Sequence, residues 1–251
     1  MPKIICIDPG HGGYDPGACA NGLKEKDLNL AVALGLKSLL EHAGITVIMT
    51  RTDDSAPSGT TNEHQDLQTR CNIANKAQVD LFLSIHFNAG GGKGAEAYAW
   101  PGGSAASFAP ELVATLSPLM GIHGEPLKDG GPSGANLYVI KYTDAPAILI
   151  ECGYVDSTDA QKIKDNLSQF APLLAPALIK WLGGSVPKDT PAPKVEAQLP
   201  QATVTQEDLK NALEAIRTEF ADALAALPAS LKTVQEDIDA KITALEAKIG
   251  G

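Results

Sequence analysis

Apolar positions over residues 1–183 follow two periods that alternate along the chain. Short runs rich in β-branched and aromatic residues predict strands: KIICI (3–7), ITVIMT (45–50), DLFLSIHFNA (80–89), AEAYAW (95–100), ANLYVIKY (135–142) and PAILIECGYV (146–155). Between them, apolar residues recur at threes and fours and predict helices over 25–42, 66–78, 104–120 and 157–182. Gly44 closes the first helix, and Pro172 and Pro176 are expected to interrupt the last. The polar stretch from Arg51 to Asp66 reads as a long surface loop. Strongly apolar strands alternating with helices predict an α/β fold, its sheet covered on both faces.

From residue 184 the pattern changes. Residues 184–204 hold four prolines and few apolar positions, which predicts a semi-extended linker. Residues 205–251 return to helical periodicity, with Leu209, Leu213, Ile216, Phe220 and Leu224 on one stripe. After Pro228 a heptad-type stripe runs through Leu231, Val234, Ile238, Ile242, Leu245 and Ile249. Two helices of this size bury little core as a lone hairpin, so the stripes predict association with further copies of the chain.

Composition narrows the setting. A net charge of −10 argues against nucleic acid, whose phosphates call for clustered Lys and Arg. No apolar run reaches the roughly 18 residues of a membrane span, and the N-terminus enters a strand with no leader-like segment. The expectation is a chain made in the cytoplasm without a membrane anchor. Cys6, Cys19, Cys71 and Cys152 show no paired spacing, and reduced structural thiols are expected.

The chemistry collects at strand ends. His11 follows the first strand inside IDPGHGGYDPGA, where Gly10, Gly12, Gly13 and Gly17 allow a tight turn or a close approach. His86 ends SIHFNA, Glu151 ends AILIE, and Glu25 opens the first helix. In open α/β sheets, ligands sit beyond the carboxyl ends of the strands, so parallel strands bring these groups to one edge. Two histidines and a carboxylate with a position left for water form a catalytic zinc set, and a further glutamate beside it can move the proton. A carboxylate directly after AILI is desolvated, which is costly unless the group is paired or used.

The stretches IDPGHGGYDPGA, GLKEKDLNLAVA, LQTRCNIANKAQVDLFLSIHFNA and ILIECGYVD, in that order, resemble the zinc-dependent N-acetylmuramoyl-L-alanine amidases of the type 3 family over residues 1–183. The resemblance implies a mostly parallel sheet of about six strands flanked by helices, with a small all-helical C-terminal element appended. It implies that His11, Glu25 and His86 hold zinc and that Glu151 is the general base and acid. The substrate implied is bacterial peptidoglycan, cut between the lactyl group of N-acetylmuramic acid and the L-alanine of the stem peptide, with a zinc-activated water as nucleophile. Asn88 is expected to orient substrate or the groups behind the ligands, and Arg70 to be a buried pairing residue. Where family members often show Gly-Phe and a following Asn, this chain has Tyr154 and Asp156, a departure expected to bear on substrate contacts.

Without a leader, such an enzyme resembles a phage or prophage endolysin, held in the host bacterial cytoplasm and reaching the wall after holin-type release, with a spore or mother-cell lytic enzyme as the alternative setting. The C-terminal helices are then read as a homo-oligomerisation element, with wall binding or packing onto the catalytic domain as alternatives. Two other functions compete: a zinc peptidase acting within the stem peptide, and a non-catalytic wall-binding protein.

Overall fold

The computed structural model describes residues 3–184 and 241–243. The chain divides into two compact units, Met1–Leu199 and Pro200–Gly251. Apart from Gly184 and a helical stretch at 241–243, the expected linker and C-terminal helices lie outside the described residues.

β1 (Ile4–Pro9), β4 (Thr46–Met49), β5 (Leu81–Asn88) and β8 (Ala147–Tyr154) are parallel neighbours in a six-stranded sheet. β6 (Ala95–Ala99) and β7 (Ile122–Asp129) complete the order β4-β1-β5-β8-β6-β7. β6 runs antiparallel to β8 and parallel to β7, so the last two strands oppose the other four. Residues 89–94, between β5 and β6, are too few for a parallel crossover, which takes a dozen residues or more. The reversal follows from that short link. A two-stranded hairpin of β2 (Cys19–Ala20) and β3 (Leu23–Lys24), absent from the sequence expectation, precedes the first helix.

α1 (Glu25–His42), α3 (Ser104–Met120) and α5 (Asp159–Trp181) contribute to one core with Ile5, Ile7, Leu83, Ile85, Ile148 and Ile150. α2 (Glu63–Ala77) and the short α4 (Tyr138–Tyr142) contribute to a smaller one with Cys6, Phe82, Ala147 and Leu149. Side chains alternate across a strand, so the residues continuing this second set toward the strand ends are Asp8, Ser84, His86 and Glu151. The polar site grows out of the smaller core.

Three expectations are corrected. ANLYVIKY contains no strand: its apolar residues Val139 and Ile140 are buried on α4 instead, packed against the sheet face. Tertiary packing overrides the β propensity of that run, whose second residue, Asn136, takes φ 51°. The sixth strand is β7, IHGEPLKD, a partly exposed edge strand whose Pro126 is tolerated where no inner ladder is needed. Pro172 and Pro176 do not end α5, whose non-helical residue is Asn166 upstream. Both prolines and Ser168 are exposed, so carbonyls freed of their helical partners face water. α2 also starts earlier than the apolar period indicates, because the side chain of Asn62 accepts from Gln65 N at 3.0 Å and caps it.

Candidate metal centre

The strands set four residues in a row along the carboxyl edge of β5 and β8. His86 lies opposite Glu151, and Glu151 lies opposite Glu96 on β6. On the other side of His86, Gly10 follows β1 and donates its N–H to Ile85 O at 3.0 Å. A Cβ on Gly10 would sit 2.2 Å from Cε1 and Nε2 of His86. That glycine is the space the imidazole occupies.

Two buried arginines and an asparagine hold the turn after β1. Arg70 donates to Pro9 O at 2.9 Å and His11 O at 2.7 Å, and Arg51 donates to Pro9 O and Gly10 O, both at 2.9 Å. Asn29 adds a bond to Gly10 O at 3.1 Å. Arg70 is fixed in turn by Asp8 at 2.7 Å and Asp66 at 2.8 Å, which makes it the buried pairing residue expected. Burial opposes the charge on Asp8, but Arg70, Thr50 and Ser84 outweigh it and hold the carboxyl below its ordinary value. So clamped, His11 takes a left-handed backbone, φ 60°, and turns its ring toward Glu25. Gly17, at φ 64°, passes so close that a Cβ would lie 2.6 Å from Glu25 Oε2 and 2.7 Å from His11 Cδ2.

Glu25 stands between the two imidazoles. Its Oε2 is 3.1 Å from His11 Nε2 and its Oε1 is 2.8 Å from His86 Nδ1. Backbone N–H groups of Ala18 (2.8 Å) and Phe87 (3.2 Å) aim the carboxylate. One ligand atom from each of His11, Glu25 and His86 lies within 4.8 Å of the other two, and no other such group of three occurs among the described residues. On its far side the His11 ring meets Asp15 Oδ2 through Nδ1 at 2.6 Å, while Asp15 Oδ1 accepts from Gly17 N at 3.0 Å. A carboxylate behind a histidine fixes its tautomer and frees the other nitrogen for a metal. The donor set therefore fits a divalent ion: two nitrogens and one oxygen, pre-aimed.

The charges of these side chains conform. Burial works against ionising Glu25, yet His11 and His86 prevail and hold it well below the usual carboxylate range. Burial likewise opposes protonation of His11, but Glu25 and Asp15 raise it from 6.5 to about 9. Glu151 is the reverse case. Its Oε2 is buried with no hydrogen-bond partner, and burial, reinforced by Glu25 and Glu96, pushes its carboxyl well above the ordinary value. A carboxylate kept basic and unengaged beside a metal set is suited to carrying a proton.

Asn88 projects from the next turn of β5, with its side chain already committed. Its Nδ2 donates to Glu96 Oε1 at 3.0 Å and its Oδ1 accepts from Ala89 N at 2.8 Å. Tyr154 and Asp156 also serve the walls: Tyr154 donates to Glu96 Oε1 at 3.2 Å, and Asp156 accepts from Gly90 N and Gly91 N. Glu96 is the site residue that sequence reasoning passed over. The desolvation argument that singles out Glu151 applies equally to a glutamate between Ala95 and Ala97 in an apolar run. His64 and His123 pack on Tyr138 and Tyr154, outside the cluster, and all four cysteines are free.

The profile of a family described as N-acetylmuramoyl-L-alanine amidase matches residues 5–180. The chain belongs to this family. Among curated amidase relatives, CwlM of Bacillus licheniformis is 44% identical over 174 residues, 66% of this chain and 62% of that protein. The sporulation-specific amidase of Bacillus subtilis is 40% identical over the same shares. An endolysin of Bacillus phage SPP1 is 35% identical over 206 residues, 77% of this chain and 73% of its own. The match thus spans about three-fifths of the length of the two Bacillus amidases. Among solved amidase structures, CwlD of Clostridioides difficile, in complex with the GerS lipoprotein, superposes with a TM-score of 0.63 at 28% identity. That comparison covers 72% of this chain and 98% of CwlD.

Proposed function

We propose that the chain hydrolyses the amide between the lactyl group of N-acetylmuramic acid and the L-alanine of the peptidoglycan stem peptide, with zinc as its metal. The observation that carries the reading is the convergence of His11, Glu25 and His86 within 4.8 Å beside the partnerless Oε2 of Glu151. Family membership and the amidase names of the relatives support it. Held by these three side chains, zinc would supply a water acidified toward pKa ~7 and polarise the scissile carbonyl. Glu151 then takes a proton from the attacking water and returns it to the leaving L-alanine nitrogen. Asp15 keeps His11 in one tautomer, and Arg51 together with the Arg70–Asp8 pair holds the turn that presents it.

Purified walls test this directly. Wild-type protein is expected to clear a wall suspension and release new L-alanine amino termini, to stop with chelator, and to recover with zinc. Glu151→Gln is expected to keep its zinc and lose about 10²–10⁴-fold in rate. Lysis by Glu151→Gln at the wild-type rate would remove Glu151 from the mechanism, and new termini from within the stem peptide would make the enzyme a peptidase.

As the setting we propose phage or prophage lysis, with the protein held in the host cytoplasm until the membrane is breached; similarity to the SPP1 endolysin supports it. For residues 205–251 we propose self-association through the Leu231–Ile249 stripe, supported by its heptad spacing. Light scattering on the full chain should give a mass above 26.1 kDa, falling to the monomer value in a chain ended at residue 204. A full chain of monomer mass would exclude self-association.

A further inference from the structure

Glu96 carries a carboxylate that the chemistry above leaves unused. It is 2% exposed, yet its two oxygens are treated unequally. Oε1 accepts from Asn88 Nδ2 at 3.0 Å, Tyr154 Oη at 3.2 Å and Tyr98 Oη at 3.3 Å. Oε2 has no hydrogen bond within the protein, and Lys128 Nζ stands 3.9 Å away. Three donors on one oxygen orient the group and leave the other presented. Because β6 opposes β8 in register at Glu96 and Glu151, the two side chains rise from adjacent positions on one sheet face. A carboxylate with one oxygen locked by three donors and the other held only by a long ion pair is placed to accept from a group that reaches this face.

The reaction creates such a donor. Water adds its oxygen to the lactyl carbonyl carbon, the C–N bond breaks, and Glu151 passes the proton taken from water to the departing nitrogen. The products at neutral pH are a lactyl carboxylate and an L-alanine ammonium, so the leaving nitrogen begins as an amide N–H and ends as a cation. That nitrogen must lie within reach of Glu151, on the sheet face that Glu96 shares. We propose that Glu96 Oε2 is a catalytic contact to the leaving nitrogen, accepting its N–H in the substrate and holding the stem-peptide ammonium in the product. This rests on the amidase reading. It assigns to the second carboxylate of the row the leaving group's side of the scissile bond, while the metal ligands attend to the carbonyl side.

Product inhibition separates this contact from a merely structural role. The probes are a dipeptide beginning with L-alanine and the same dipeptide with its amino terminus acetylated, each added to the wild-type wall assay. The free amine is expected to inhibit the wild type more strongly than the acetylated form. In Glu96→Gln, whose Oε1 can still accept the three locking bonds, that preference should shrink about tenfold, with zinc content and melting temperature near wild type. A second variant covers failure of the first to fold. Lys128→Met removes the cation facing Oε2 from a partly exposed edge strand, and should raise the preference for the free amine. An unchanged preference in either variant that folds overturns the contact, provided the wild type releases L-alanine termini. A wild type that releases none overturns the amidase reading, and this inference with it.

Discussion

Gly10 is constrained by space, not by backbone angle. It is absent from the positive-φ residues, so alanine there strains no dihedral. What alanine would meet is the ring of His86, at 2.2 Å. The flanking chain cannot retreat, because Arg51, Arg70 and Asn29 hold the carbonyls of Pro9 and Gly10. His86 must therefore rotate out of the ligand set. Gly10→Ala is expected to lose metal and wall lysis together and to destabilise the fold by about 1–3 kcal/mol, as overpacking does. The decisive comparison is the double variant. In a His86→Ala background the ring is gone, so adding Gly10→Ala should cost almost nothing in urea unfolding. An equal cost in both backgrounds would show that the glycine serves the turn and not the imidazole.

At the level of elements, what could be read from the chain was decided by how local each signal is. Runs such as DLFLSIHFNA and AILIE announce strands because burial on both faces leaves a continuous apolar record, and a polar residue ending such a run is conspicuous. Hence His86 and Glu151 were legible, as was His11 among its glycines. β7 was not, because an edge strand half exposed to water carries no such record. ANLYVIKY was misleading for the complementary reason: α4 buries β-formers against the sheet without joining it. Glu96 shows a third limit. Its register opposite Glu151 depends on β6 reversing after the short residues 89–94, a property of the whole connection. The same connection accounts for Tyr154 and Asp156. The expectation tied them to substrate contacts. Tyr154 is buried and helps lock Glu96, while Asp156 gathers the N–H groups of Gly90 and Gly91. Both departures from the family pattern thus act on the segment that sets the far wall of the site.

For the whole molecule, the metal set makes stability a function of pH with a sign that can be worked out. In the metal-free protein His11 titrates near 9 when folded, against 6.5 when free of its partners. The folded state holds the extra proton between those values, so its stabilisation is complete below 6.5 and lost as pH rises through 9. Glu25 is shifted the other way, and its share is present above 4.5 and lost as pH falls. Because the two groups face each other, the interaction counts once, at most about 3 kcal/mol. A divalent ion replaces that proton. Binding must displace it anywhere below pH 9, so metal affinity should climb about tenfold per pH unit toward that value. Melting curves from pH 6.5 to 9, with chelator and with zinc, should diverge: the chelated protein loses stability across the range while zinc adds progressively more. A gap that stays constant would mean that His11 is already neutral without metal, and that Asp15 and Glu25 aim its ring without charging it.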